Sequence, residues 1–332
     1  MRAIVVEQPG GPEAMVLREA PEPVLREDDL LVAVRAAGVN RADLLQRMGR
    51  YPPPPGEPTT IGLEVAGEVL EAGPGCAGRG PGGRSWKPGD RVMALLAGGG
   101  YAERARVPAA QALPIPEGLS FAEAAAIPEV FLTAWLNLFR VAKLEGGEVV
   151  VVHAAASGVG TAALQLCRGV ASSVIATASA GKLEGLRALG ATHLLAREEV
   201  PGKLAGFVRD AAGRGADVIL DLVGGSYLEA NLAALGLHGR LCCVSTQGGL
   251  QATLDLGALL QRRLSILGST LRTRTPAQKA KLCADFTARA LPRFDAGELR
   301  PVLARTFPLA QAAEAHLLLA ENGVTGKVVL IA

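Results

Sequence analysis

The segment Ser157-Gly158-Val159-Gly160-Thr161-Ala162-Ala163 holds the residues whose types and spacing bear most directly on chemistry. Gly158, Gly160 and Ala163 keep the spacing G-x-G-x-x-G/A. Before them, Val149-Val150-Val151-Val152 reads as a strand buried on both faces. After them, Leu164, Leu166 and Cys167 suit the inward face of a helix. Strand, glycine turn and helix start are what a dinucleotide's pyrophosphate needs. Gly158 permits the tight turn, Gly160 lets backbone approach the phosphates, and Ala163 lets helix and strand pack. The helix start at Ser157 and Val159 offers free N–H groups to negative charge. With 41 glycines in 332 residues the spacing alone is weak. Its place between a strand and a helix gives it weight.

The next strand, Ser173-Val174-Ile175-Ala176-Thr177, leads into Ala178-Ser179-Ala180-Gly181-Lys182. An NAD-preferring fold carries an acid there for the ribose 2′-hydroxyl, and none is present before Glu184. Ser179 and Lys182 are candidates for a 2′-phosphate instead. The plainer reading of Lys182 is a solvated lysine opening a helix.

The elements that must position these residues fall into two styles. Residues 1 to about 125 read as short strands (Arg2–Glu7, Asp29–Arg35, Glu64–Glu71, Asp90–Leu95) divided by Gly- and Pro-rich turns such as Tyr51-Pro52-Pro53-Pro54-Pro55-Gly56. A helical stretch, Arg41–Met48, precedes the proline loop. Ser120 with Glu123 then marks a helix start, and Phe131–Val141 reads as a second helix. Strands and helices alternate afterwards: Val149–His153, Val174–Thr177, Thr192–Leu195, Asp217–Asp221, Arg240–Ser245 and Leu264–Gly268. That alternation predicts an α/β fold with a doubly wound parallel sheet of Rossmann type, 126–269, beside a mainly β domain. The tail carries helices at Pro276–Phe294 and Leu309–Glu321 and a strand at Lys327–Ile331. It is expected to return to the first domain, giving that domain 1–125 and 270–332.

Composition sets limits. Hydrophobic residues make up 49% and charged ones 20%, which suits a soluble globular chain. A net charge of +2 without runs of like charge favours neither nucleic acid nor an anionic membrane as partner. No signal peptide is evident, and no apolar stretch is expected to reach bilayer length. Five cysteines without a Cys-x-x-Cys pair suggest reduced, buried thiols and a cytoplasmic protein.

Further motifs carry a family resemblance. They are Ala37-Gly38-Val39-Asn40-Arg41-Ala42-Asp43-Leu44, Gly62-Leu63-Glu64-Val65-Ala66-Gly67, Lys87-Pro88-Gly89-Asp90-Arg91-Val92, Ala125-Ala126-Ile127-Pro128-Glu129 and Leu132-Thr133-Ala134, with the glycine turn. In this order the chain resembles the medium-chain dehydrogenase/reductase superfamily over its full length. Within it, the zeta-crystallin-like quinone oxidoreductases match best, above all the tumour-suppressor-inducible quinone reductases. The resemblance implies a GroES-like catalytic domain and hydride transfer from NADPH to a quinone or conjugated carbonyl. It also implies a homodimer or dimer of dimers, joined by sheet edges such as Leu264–Gly268. Zinc-dependent relatives carry Cys at the position of Asn40 and Gly-His-Glu at Gly62-Leu63-Glu64. Asn40 and Leu63 are not zinc ligands, so no metal is expected.

Without a metal, catalysis rests on placement of the cofactor against the acceptor. Asn40 and Tyr51 are the candidates to steady the acceptor's oxygen. Asn40 reads equally as a loop residue bonding its own backbone, and Tyr51 as packing on prolines. Similar enzymes place Thr133 by the nicotinamide, although a helix hydroxyl also bonds back to its own helix. They place a tyrosine near the 2′-phosphate where this chain has Ala196, with Arg197 beside it. Arg197 either assists Lys182 or is a surface charge. Val244, Ser245, Ser269 and Leu271 follow sheet strands and are candidates to line the cofactor. Asn322 and Lys327 resemble cofactor-contacting positions near the C-terminus. His153, His238 and His316 lack triad-like partners and read as structural. Two other activities compete with quinone reduction: an enone or enal reductase on the same scaffold, and a non-catalytic, crystallin-like nucleotide binder. The intact glycine turn favours an enzyme.

Overall fold

Four valines in a row do not alternate faces, and the strand Val149–Val152 is buried at every position. It forms the middle of a six-stranded parallel sheet. In chain order its strands are Val149–Val152, Ser173–Ala178, His193–Ala196, Ala216–Asp221, Leu235–Cys243 and Ser265–Gly268. They lie side by side as 3-2-1-4-5-6, the doubly wound order whose reversal between the first and fourth strands opens a ligand crevice. Ser265–Gly268 occupies one edge. In this computed structural model all residues, Met1–Ala332, are described, and they divide into two compact units. The parallel sheet belongs to the unit Thr133–Thr270; the other joins Met1–Leu132 to Leu271–Ala332.

The second unit is mainly β. Its sheet runs Leu303–Pro308, Lys327–Ile331, Asp29–Val39, Glu64–Ala72, Arg91–Leu95 and Ala112–Pro114, with Arg104–Pro108 also paired to Asp29–Val39. The tail strand Lys327–Ile331 pairs antiparallel with Asp29–Val39, Val328 opposite Val39. The C-terminal segment thus returns to the N-terminal sheet.

Several boundaries differ from the sequence reading for identifiable reasons. The helix expected at Pro276–Phe294 is two, Pro276–Arg289 and Leu291–Asp295, and Pro292 sits at the start of the second, where its missing N–H costs nothing. The helix expected at Phe131–Val141 begins at Pro128 and widens into a π-helix over Leu136–Val141. There the Asn137 side chain donates to the Thr133 carbonyl at 2.9 Å. Leu309–Glu321 is a 3-10 turn followed by a helix at Ala312–Ala320. The fifth parallel strand starts at Leu235, not Arg240. The expectation about bilayer-length stretches is also corrected. The helical run Phe121–Val141 is long and apolar enough by length and composition, and its window is 78% buried inside the fold. Its apolarity comes from packing in a protein interior.

Candidate functional site

In the parallel unit, the glycine turn follows the central strand and opens the helix Gly158–Cys167. Ser157 caps that helix: its hydroxyl accepts from the Gly160 N–H at 3.1 Å. The N–H groups of Gly158 and Val159 stand ahead of the first helical hydrogen bond, where an anion is favoured. Gly160, however, does not face outward to phosphates. It is buried, and a Cβ there would lie 2.6 Å from the carbonyl oxygens of Ala154 and Ala155. Its glycine allows the helix to seat on its own turn, which corrects the role read from spacing.

A buried polar chain holds the strands around this turn. His153, directly after the central strand, bonds through Nδ1 to the Thr177 hydroxyl at 2.8 Å and through Nε2 to Asn231 Oδ1 at 2.7 Å. The Asn231 amide donates to Asp221 Oδ2 at 3.1 Å. Asn231 therefore offers His153 an acceptor, so Nε2 carries the proton and Nδ1 accepts from Thr177. Burial keeps His153 neutral, against the pull of Asp221. Asp221 Oδ1 in turn accepts from the N–H groups of Val223 and Gly224 at 2.7 and 3.0 Å, shaping the loop at the crevice. Sequence reasoning missed Asp221 and Asn231. An acid ending an apolar strand at Asp217–Asp221 was the available signal.

The remaining candidates of this unit cluster at strand ends. Ser179 heads a 3-10 turn, Ala180–Lys182, at the end of the second strand. The Lys182 ammonium has its pKa lowered by burial and, to a smaller extent, by the charge of Arg197. Arg197 also pairs with Glu198 at 2.8 Å, and its carbonyl accepts from the Tyr227 hydroxyl at 2.9 Å. Thr133 is buried and gives its carbonyl to Asn137. Asn137 Oδ1 accepts from Ser269 Oγ at 2.7 Å, which ties the π-helix to the sixth strand's end. The Val244 N–H donates to the Asp221 carbonyl at 2.9 Å, and Ser245 Oγ accepts from Gln247. An open helix N-terminus and two mutually repelling cations fit a ligand with separate phosphate groups.

Leu271 and Asn322 belong to the mainly β unit. Leu271 is buried, and Asn322 ends the helix Ala312–Ala320 in a left-handed conformation with its Oδ1 accepting from Arg41. Lys327 corrects its expected cofactor contact. It is only 3% exposed and donates to the Val39 carbonyl at 2.8 Å and Asn40 Oδ1 at 2.6 Å, with Glu64 Oε1 also at 2.6 Å. Its three N–H groups are spent inside this unit.

Asn40 is spent as well. Its amide donates to Glu64 Oε1 at 2.9 Å and toward the Gly38 carbonyl at 3.5 Å, while its Oδ1 accepts from Lys327. No donor is left to steady an acceptor's oxygen, so Asn40 positions Glu64 and Lys327. This cluster does not fit a zinc ion. Asn40 and Leu63 are not zinc ligands, and an ammonium already lies against the one carboxylate.

Glu64 Oε2 accepts the backbone N–H of Glu129 at 2.7 Å. Asp43 accepts the Asn40 N–H at 2.7 Å and the Tyr101 hydroxyl at 3.2 Å. Arg47 donates only, so His316 Nδ1 accepts from it, His316 Nε2–H donates to Tyr101, and Tyr101 donates to Asp43. The Lys327 ammonium is bonded to Glu64, and two further carboxyls, Asp43 and Glu129, feel its charge from further away. One cation cannot balance three enclosed charges. Asp43 is pushed up to about 7 by burial and by Glu64, against the Asn40 N–H, Lys327 and Tyr101, and its Oδ1 has no partner. Glu129 is pushed up to about 8 by burial, Glu64 and Asp43, against Lys327 and Lys279. Tyr51, also in this unit, feels Glu129: burial and that carboxyl raise its phenol, and Arg272 opposes them. The Arg272 guanidinium lies 5.1 Å from the Tyr51 ring centre and donates to the Tyr51 carbonyl at 3.0 Å. Lys279 escaped the sequence reading because nothing local to it signals a site, while Glu129 was visible only as the end of the motif Ala125-Ala126-Ile127-Pro128-Glu129 and Arg272 only as the end of the strand-following segment Ser269-Thr270-Leu271-Arg272.

Comparison with known proteins agrees with this architecture. Residues 26–117 match the alcohol dehydrogenase GroES-like domain, and residues 189–330 match the family described as zinc-binding dehydrogenase. A quinone oxidoreductase from Sus scrofa is 31% identical over 334 residues, spanning 100% of this chain and 98% of its own. The quinone oxidoreductase of Thermus thermophilus, solved also in complex with NADPH, superposes with a TM-score of 0.80 at 37% identity, covering 100% of both chains. JamJ enoyl reductase superposes with a TM-score of 0.84 at 25% identity, covering 99% of this chain and 98% of its own.

Proposed function

This chain belongs to the medium-chain dehydrogenase/reductase superfamily, among its zeta-crystallin-like quinone reductases, and from that premise we propose that it reduces a quinone with NADPH, without zinc. The observation that carries the reading is the pairing of two features in one unit: a Ser157-capped helix N-terminus and two cations, Lys182 and Arg197, whose charges act on one another. The first suits the pyrophosphate and the second the 2′-phosphate. Relief of their repulsion by a phosphate favours NADPH over NADH. Ser179, Val244, Ser245, Ser269 and Thr133 border the same sheet end and orient the remainder.

NADPH supplies the hydride. The chain's own residues place the acceptor and manage a proton. Quinone oxygen gains negative charge as hydride arrives and must be protonated. Glu129 holds a proton at neutral pH because burial and the charge of Glu64 push it up to about 8, and the Lys327 ammonium that opposes them is bonded to Glu64. Tyr51, braced by Arg272 and coupled to Glu129, is the phenol that meets the acceptor. Asn40, Lys327 and Glu64 hold these groups in place. Tyr51→Phe is expected to lower kcat/KM for a quinone by about 10- to 100-fold, the scale of one positioning or oxyanion contact. Complete loss of turnover with intact NADPH binding would make Tyr51 the essential donor instead of Glu129.

The deciding experiment is stopped-flow NADPH oxidation against a quinone panel and an enone panel. Faster single-turnover reduction of enones would move the assignment to the enone reductase, which the enoyl reductase likeness favours. The reading includes a cytoplasmic homodimer, with the edge strand Ser265–Gly268 pairing between copies and all five cysteines as free thiols.

A further inference from the structure

The mainly β unit contains a cavity of about 580 Å³ between the proline loop, the segment Leu96–Gly98 and the start of the helix Pro276–Arg289. Six cationic side chains line it against three carboxylates. The carboxylates are already matched: Asp28 with Arg79 at 3.6 Å, and Asp29 and Glu57 with Arg106 at 2.8 and 3.5 Å. Arg26 reaches a backbone carbonyl, that of Gly56. Three further cations have no carboxylate. Arg272, only 3% exposed, donates solely to neutral oxygens: the carbonyls of Ala97 and Tyr51 and Gln46 Oε1. Arg274 has a buried Nε with no partner.

Lys279 is the most telling of the three. It is 5% exposed, yet its ammonium makes no hydrogen bond and has no carboxylate within ion-pair distance. Glu129 and Glu57 act on it only from further away, and Arg272 repels it. An ammonium enclosed to this extent, with no protein acceptor, keeps only the water that the cavity admits, which favours an anion there. It stands in the first turn of a 14-residue helix whose cap, Thr275, and first residues also line the cavity. The helix adds its own positive end.

We propose that this cavity binds an oxyanion, a carboxylate or phosphate carried on the acceptor, through Lys279, Arg274 and Arg272. Arg272 also holds Tyr51, so the same guanidinium joins anion recognition to the phenol that meets the reacting carbonyl. The acceptor is then a quinone or conjugated carbonyl with an acidic side arm. This assignment rests on the hydride-transfer reading above, and its test separates the two.

Two arms are needed. In the first, inorganic phosphate is titrated into NADPH-saturated protein by calorimetry, so that the cofactor's own phosphate sites are filled. Saturable binding is expected, weakened about 10- to 100-fold in Lys279→Met and to a similar extent in Arg274→Gln, the scale of one lost charge-assisted contact. In the second, a naphthoquinone bearing a propionate arm is compared with its methyl ester. The acid is expected to be favoured in kcat/KM, and the acid-to-ester ratio to fall about 10-fold or more in Lys279→Met. Absence of phosphate binding in the wild type overturns the oxyanion site. Phosphate binding with an acid-to-ester ratio indifferent to Lys279 overturns its assignment to the acceptor. If neither compound oxidises NADPH, the hydride reading falls, and the phosphate titration still decides whether the cavity holds an oxyanion.

Discussion

The two units bury polar groups in opposite ways. The parallel unit encloses a linear hydrogen-bonded chain, Thr177–His153–Asn231, that ends on one carboxyl group, Asp221, and each donor in it meets an acceptor. The mainly β unit gathers three carboxyl groups, Asp43, Glu64 and Glu129, near the ammonium of Lys327, which is bonded to Glu64 alone, with Tyr101, His316 and Arg47 behind. A chain whose one carboxyl group accepts three hydrogen bonds fixes geometry at little cost. An ionic cluster is costly to desolvate and stands only while each member keeps its partner, which makes it both a structural linchpin and a place where protons are held.

The sharpest way to break this contrast is Lys327→Met. Removing one partner of a buried pair is expected to cost about 3–5 kcal/mol in denaturant unfolding. The double change Lys327→Met with Glu64→Gln should recover much of it. A loss no larger than that of a surface pair would show that the cluster is not ionic.

The corresponding test of the parallel unit is chemical. Lys182→Ala should weaken NADPH by about 1.5–3 kcal/mol and leave NADH nearly unchanged, measured by cofactor titration. Equal losses would mean that Lys182 does not hold the 2′-phosphate. Gly160→Val should cost about 1–3 kcal/mol of stability through overpacking against Ala154 and Ala155, and should also impair NADPH binding. Lost binding with full stability would return Gly160 to the phosphate-facing role that its spacing first suggested.

The smallest effect is a pH dependence. Asp43 has a folded pKa of about 7, above the usual carboxyl value of 3.8, so the folded chain holds a proton that the unfolded chain releases. Its stabilising contribution is complete below pH 3.8 and is lost as pH rises toward 7. Wild-type stability should therefore fall relative to Asp43→Asn between about pH 4 and 7 and level off above, by at most about 1.4 kcal/mol per pH unit. His316, held neutral down to about 3 by burial and Arg47, acts in the opposite sense below pH 6.5 in both proteins, so the difference isolates Asp43. Parallel curves would place the shared proton elsewhere in the cluster.

Legibility in the sequence followed the same division. The glycine turn, the βαβ alternation and the missing acid before Glu184 are local signals, and the strands of the parallel sheet fall within a few residues of their expected places. Asn40, Glu64 and Lys327 lie on three separate strands or strand ends, and only pairing of the tail with Asp29–Val39 brings them together. Their motifs were visible, but their mutual saturation was not, because spacing cannot say which atoms a side chain has already spent. Strands such as Met15–Glu19 and Leu303–Pro308 went unread for a related reason: both carry charged or exposed residues where a buried strand would be apolar.

The bond between Lys327 and Asn40 spans 287 residues. During synthesis the three acidic groups of the mainly β unit are made long before Lys327, the cation bonded to Glu64. The continuous segment Thr133–Thr270 has all its residues in hand while that cation is still to be translated. The order of assembly on the ribosome is therefore written into the chain. The nucleotide-binding half can complete first, and the carboxyl-rich half must wait, protonated or loosely packed, until nearly its final strand emerges.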